Sequence, residues 1–194
     1  MAQFKLAQEK TSAIEGKYAN VPGDRGGETY RGVARKRWPS WPGWVVIDQL
    51  KPADGFPRNL ELHVGLQGMV EQFYREHFWD PLAGDSIVVQ EVADELYDTG
   101  VNQGVEVAAV YLQQALNALA LPRDTDPPLC DDLIEDGDVS TKTLTALNTI
   151  VSRNETHLLL KMLNVYQGAR YAAILKQDKR QRKFVRGWFK RVTL

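Results

Sequence analysis

The 194-residue chain has one cysteine, Cys130, so no internal disulfide can form, and a chain of this length needs none to hold a core. That points to folding in a reducing compartment. Asp131 and Asp132 flank the thiol and raise its pKa, and no histidine stands nearby to activate it, which argues against a cysteine peptidase. Histidine is almost as scarce. His63, His77 and His157 stand far apart, which excludes a zinc amidase or metalloprotease site. The acidic stretch from Asp132 to Gly137 does not make a calcium loop, because Ile134 occupies a position that needs an oxygen ligand and Thr143 one that needs a bidentate ligand. No metal and no other cofactor is expected. The chain also lacks a run near the ~18 apolar residues of a membrane span, and its first 16 residues lack the apolar stretch of a secretory signal.

What is present is the composition of a globular protein, with 43% hydrophobic and 25% charged residues. The net charge of −1 conceals an asymmetry: residues 124–138 carry seven acids, and residues 176–191 carry eight basic side chains against one acid, Asp178.

The apolar spacing predicts a mainly α protein. A first helix over about residues 3–14 puts Phe4, Ala7, Thr11 and Ile14 on one face and closes at Gly16. From Tyr18 to Val33 the Pro22-Gly23 and Gly26-Gly27 punctuation predicts a small hairpin or irregular sheet. Residues 38–57, rich in Trp and Pro, read as mostly loop. Helical spacing returns at Leu62, Leu66, Met69, Val70, Phe73 and His77, then at Val89, Val92, Ala93, Leu96 and Tyr97, then at Val107, Val110, Tyr111, Gln114 and Leu119. An acidic, proline-bearing connection over 122–138 precedes a helix capped by Ser140, which carries Leu144, Leu147 and Val151. A long helix with Leu159, Leu163, Tyr166, Arg170, Tyr171 and Ile174 leads into the basic tail.

The chemistry concentrates in residues 15–33. Glu15 falls at a helix carboxyl end, where the macrodipole disfavours negative charge, and Tyr18 adds desolvation; both raise a carboxyl pKa. Asp24 lies in a Gly-rich turn that keeps it ionised. Two carboxyls pushed toward different roles suit glycoside hydrolysis, in which one protonates the leaving oxygen and the other supports the opposite face of the sugar. Thr29 offers a hydroxyl to position a water. A solvated helix terminus fits the same pattern.

These residues carry a resemblance. Glu15-Gly16-x-Tyr18 followed by Asp24-x-Gly26-Gly27-x-Thr29-x-x-Gly32-Val33 resembles the signature of glycoside hydrolase family 108, the lysozyme-like N-acetylmuramidases of bacteria and their phages. The similarity extends through Tyr74, Phe78-Trp79-Asp80-Pro81 and Gly84-Asp85, and through Tyr97-Asp98-Thr99-Gly100-Val101-Asn102-Gln103-Gly104. The resemblance implies an α+β lysozyme-like fold, a helical bundle with a small β-hairpin next to the catalytic Glu. It implies cleavage of the β-1,4 bond between N-acetylmuramic acid and N-acetylglucosamine, with Glu15 as general acid and Asp24 and Thr29 supporting it. Tyr18, Asn102 and Gln103 would bind substrate; Asp98 and Asn102 also read as a cap and turn ahead of Gly104. Lys17 stands where the family has glycine, and a lysine there either tightens binding to an anionic glycan peptide or lowers the Glu15 pKa and blunts catalysis.

The second half resembles the small helical peptidoglycan-binding domains that follow this catalytic module, through Leu112-Gln113-Gln114-Ala115-Leu116-Asn117, Asp136-Gly137-Asp138-Val139 and Thr143-x-x-Ala146-Leu147, with Ser140 replacing the usual glycine. Two parts are therefore expected, a catalytic domain over 1–104 and a peptidoglycan-binding domain over 105–194, in a monomer whose partner is the glycan strand. The basic tail reads as helix packing by its aromatics or as attraction to an anionic envelope surface, with no motif for nucleic acid. The absence of a signal fits a phage or prophage endolysin held in the host cytoplasm before acting on the wall. A wall-binding protein that has lost turnover and assists secretion is the competing expectation.

Overall fold

The computed structural model describes residues 1–12, 17–20, 27–120 and 132–193, which form two compact units: Thr11–His77, and Met1–Lys10 together with Phe78–Leu194. No helix among the described residues is long and apolar enough to cross a membrane. The first helix, α1 (Phe4–Ser12), buries Phe4, Ala7 and Thr11 as its spacing requires; Ile14 lies outside the described residues.

In the unit Thr11–His77, three two-residue strands, β1 (Tyr18–Ala19), β2 (Thr29–Tyr30) and β3 (Val33–Ala34), form an antiparallel sheet in that order. Tyr18 lies opposite Tyr30 and Ala19 opposite Thr29; Tyr30 in turn faces Val33. The β2–β3 turn places Arg31 and Gly32 in the left-handed region, at φ 43° and 80°. Tyr30 and Val33 are fully buried.

The segment 38–57, expected to be mostly loop, contains a helix, α2 (Gly43–Leu50). Its prolines bracket the helix instead of interrupting it. Pro42 sits at the N-cap, where no backbone donor is needed, Pro52 follows the last turn, and the proline-free run between them buries Trp44 and Ile47. Gly43 is required by crowding, since a Cβ there would stand 2.2 Å from the Trp41 ring.

The next helix, α3 (Val64–Tyr74), starts at His63, whose Nδ1 accepts the Leu66 backbone N–H at 3.0 Å. Leu62, expected on its apolar face, therefore ends the preceding 3-10 turn and is exposed. Leu66, Val70 and Phe73 are buried as spaced.

In the larger unit the core begins with Phe4, Trp79 and Tyr97, packed edge to face at centroid distances of 5.6–6.0 Å. The Trp79 indole covers Gly84 so closely that a Cβ would lie 2.3 Å from the ring, and its N–H donates to Asp85 at 2.8 Å. The four main helices are α4 (Gln90–Gln103), α5 (Val105–Ala120), α6 (Thr141–Ser152) and α7 (Thr156–Gln177). Gly104, at φ 108°, makes the break between α4 and α5.

Helix α5 is packed by α4, α6 and α7, and its buried residues are Ala108, Ala109, Leu112, Gln113, Ala115, Leu116 and Ala120. The face predicted from Val107, Val110, Tyr111, Gln114 and Leu119 is only half-buried. Small alanines let three helices approach closely, so the larger side chains fall at the seams.

Gln113 clamps the turn before α6. Its amide donates to Asp136 at 2.7 Å and to the Asp138 carbonyl at 3.0 Å, while its oxygen accepts from the Gly137 N–H at 3.0 Å. Ser140, at the position where the resemblance has glycine, is extended and caps α6 through Thr143. The basic tail closes the unit as a 3-10 turn, Lys179–Phe184, and a short helix, α8 (Val185–Phe189). Trp188 stacks on Tyr171 of α7 at 5.0 Å, and the buried Arg191 guanidinium pairs with Asp98.

One buried acid makes this unit sensitive to pH. Glu95 of α4 accepts from the Thr99 hydroxyl at 3.4 Å and meets Asn164 of α7, while Gln167 of α7 donates to Thr99 at 2.9 Å and to Asp98 at 3.2 Å. Burial, then the Asp98 charge, push the Glu95 carboxyl up to about 7. The native state thus holds this proton more tightly than the unfolded chain does. The stability it contributes is fully present below about pH 4.5 and is lost as pH rises to 7, on the order of 3 kcal/mol in all. Glu95→Gln should remove that dependence, matching wild type in urea unfolding at pH 5 and exceeding its stability at pH 8. Equal stabilities at both pH values would refute the assignment.

Candidate active site

Two of the residues expected in the catalytic centre are described. Tyr18 and Thr29 lie on adjacent strands, β1 and β2, of the small sheet. Glu15 and Asp24 lie outside the described residues. The Thr29 hydroxyl donates to the Gly27 carbonyl at 3.3 Å, which leaves its lone pairs as the part able to accept from a water.

A sheet of two-residue strands has few ladder hydrogen bonds, and side chains hold it in place. Glu28, with its side chain only 9% exposed, is the centre of that support. It accepts from the Tyr18 hydroxyl at 2.9 Å and pairs with Arg35 at 2.8 Å and with Lys51, just past the end of α2, at 2.9 Å. Arg35 and Lys51 both reach Asp48, at 2.7 Å, and hold its carboxyl down at about 2. Burial and then the Glu28 carboxylate raise the Tyr18 pKa, so its phenol stays protonated. The Tyr18 ring also meets Phe56 edge-on at 4.8 Å.

The opposite end of the sheet is anchored by Glu61. Arg31 pairs with it at 2.6 Å, Lys17 reaches it at 3.9 Å, and Tyr74 of α3 donates to the Arg31 carbonyl at 2.9 Å. The fully buried Tyr30 accepts from Gln67 at 2.8 Å. Neither Glu28 nor Glu61 was expected in a site role from the sequence; the available signal was an acid flanked by strand residues with basic residues at Arg31, Arg35 and Lys51.

Asn102 and Gln103 belong to the other unit, at the end of α4. Asn102 donates to the Asp98 carbonyl at 2.8 Å, the local turn bond that spacing allows. Gln103 donates to the Gln167 carbonyl at 3.1 Å and accepts from Tyr111 at 3.3 Å, tying α4 to α5 and α7.

The family model for Glycosyl hydrolase 108 matches residues 8–104, and one for a Predicted Peptidoglycan domain matches residues 107–193. The chain belongs to glycosyl hydrolase family 108 and carries a C-terminal peptidoglycan-binding domain. It is accordingly a glycoside hydrolase acting on peptidoglycan. Among solved structures it is similar to SagA of Brucella abortus, at 22% identity and a TM-score of 0.60 over 97% of this chain and 88% of that one. That likeness supports the mainly α, lysozyme-like fold with a small sheet. No curated protein sequence matches the chain. The boundary between the two family models falls between α4 and α5, which nevertheless pack on each other within one compact unit.

Removing the Glu28 carboxylate leaves Arg35 and Lys51 with Asp48 alone and takes the acceptor from the Tyr18 hydroxyl. Glu28→Ala should cost on the order of 2–3 kcal/mol and lower peptidoglycan hydrolysis by loosening β1 against β2. Thermal unfolding and a wall-clearing assay measure both effects, and an unchanged melting temperature would show that the sheet does not depend on this carboxylate.

Proposed function

We propose that this protein is an N-acetylmuramidase that cleaves the β-1,4 bond between N-acetylmuramic acid and N-acetylglucosamine, serving as a phage or prophage endolysin. Glu15 donates its proton to the glycosidic oxygen. Asp24 supports the positive charge that develops on the sugar, and Thr29 orients the attacking water through its lone pairs. Tyr18, whose hydroxyl donates to Glu28, presents its phenol for substrate contact, and Asn102 and Gln103 are carried as further substrate contacts. What supports this reading is the family match across residues 8–104, which spans every one of these positions. The Lys17 ammonium, on an exposed side chain, lies 3.9 Å from Glu61.

In this reading the catalytic part runs over 1–104 and the wall-binding part over 105–194. The chain acts as a monomer that accumulates in the host cytoplasm and then reaches the wall. Glu15→Gln should reduce clearing of permeabilised cells by about 100-fold or more while leaving wall binding intact, and reducing-end analysis of digested sacculi should find muramic acid at the new ends. Equal clearing by the variant would sink the Glu15 assignment; glucosamine ends would sink the bond specificity.

The tail serves both of its expected roles in this proposal. Trp188 and Arg191 pack inward, whereas Lys179, Arg182, Lys183, Arg186 and Lys190 are exposed, and they attract anionic envelope polymers. Truncation would remove the packing too, so charge neutralisation is the cleaner test. Changing Lys179, Arg182, Arg186 and Lys190 to Gln should weaken wall binding several-fold at low salt and have little effect at 0.5 M, where screening is nearly complete. Identical binding at low salt would mean that these charges are incidental.

A further inference from the structure

The Trp38–Pro42 segment, one side of α3 and Glu76 and His77 of the turn that follows it line a half-open groove of about 310 Å³. That volume is at the small end of ligand pockets, suited to one pyranose ring and too small for a chain. Its walls are largely aromatic. Trp38 stacks on His77 at 4.5 Å and meets Phe73 edge-on at 5.0 Å, and Trp41 packs against Trp44 at 5.2 Å. Met69 and Pro42 complete the apolar lining. Little ordering is left to be done on binding.

The rim is polar. Gln72 donates to Glu76 at 2.7 Å, which fixes an exposed amide–carboxylate pair, and the remaining amide N–H and carboxylate oxygen supply both a donor and an acceptor. Ser40 and His77 add two more polar groups. Aromatic walls below and an amide–carboxylate pair above match the two sides of a pyranose, whose C–H face is apolar and whose hydroxyls both give and accept hydrogen bonds. An acetamido methyl suits the Met69–Pro42 side. A bare ammonium would use Glu76 alone, and Glu76 repels an anion although the Arg37 guanidinium, 5.8 Å over the Trp38 ring, offsets part of its charge.

We propose that this groove binds one N-acetylglucosamine residue of the glycan strand through residues distinct from those assigned to catalysis. The inference rests on the glycan substrate of the proposed function and specifies which of its two alternating sugars is held. The muramic residue carries a lactyl ether with a carboxylate or a peptide. That group exceeds the cavity and meets the Glu76 charge, so the unsubstituted sugar is selected by both size and sign.

The test uses the full-length Glu15→Gln protein, which binds without turnover, titrated with the N-acetylglucosamine trimer by calorimetry and by NMR of the tryptophan indole N–H groups. The Trp38 resonance should shift. The rim double variant Gln72→Ala/Glu76→Ala, which leaves the aromatic core untouched, should weaken the trimer about tenfold, and Trp38→Ala should weaken it further. N-acetylmuramic acid should bind at least tenfold more weakly than N-acetylglucosamine, and Glu76→Gln should narrow that gap. An unshifted Trp38 resonance with unchanged affinity in the rim variant overturns the proposal. Wild-type clearing, run in parallel, separates the two readings. Rim-dependent binding without clearing removes the hydrolase and keeps the groove, and clearing with rim-independent binding removes the groove alone.

Discussion

Everything in the unit Thr11–His77 depends on how three strands of two residues each are kept in register. Ladders that short cannot outweigh the entropy of ordering their own backbone, so the sheet borrows its stability from side chains. A nearly buried carboxylate, Glu28, receives a phenol and two cations from three separate places in the chain, and Glu61 does the same at the other end through Arg31. Ion pairs at the surface contribute little because water competes for both charges. Here protection from solvent gives each contact more weight, and it also makes each partner hard to remove without stranding the other.

The larger unit solves a different problem. Its helices carry polar side chains among apolar ones: Glu95, Thr99, Gln103, Gln113, Asn164 and Gln167 are each bonded to a partner on another helix, a turn, or their own helix, although the Gln167 side-chain oxygen is buried without one. Such groups cost free energy unless they are satisfied, and satisfying them fixes the rotation of each helix about its axis. Gln113 does so for the turn before α6, and Gln167 does so for α4 against α7.

Much of this was legible in the sequence. The 3.6-residue period gave α4, α6 and α7, and the glycine-rich spacing announced the small sheet beside an expected acid. Where the sequence misled, side-chain size and proline position were responsible. Prolines at 42 and 52 read as loop because their effect depends on whether they fall inside or outside a helix, which spacing alone does not decide. The apolar face of α5 was misplaced because alanines that allow close approach carry less hydrophobic signal than the valines at the seams. The supporting acids were harder still to foresee, since the burial of Glu28 and Glu95 arises from tertiary packing and leaves no periodic trace.

The Trp79 indole covers Gly84 and hydrogen-bonds Asp85, so the Phe78–Asp85 stretch that carries part of the family resemblance is a mechanical fastening. Selection can preserve such a fastening in a descendant that no longer cuts anything. Recognition of a relative through that stretch therefore certifies ancestry and shape, whereas capacity for chemistry must be judged on the handful of oxygen atoms around the sheet.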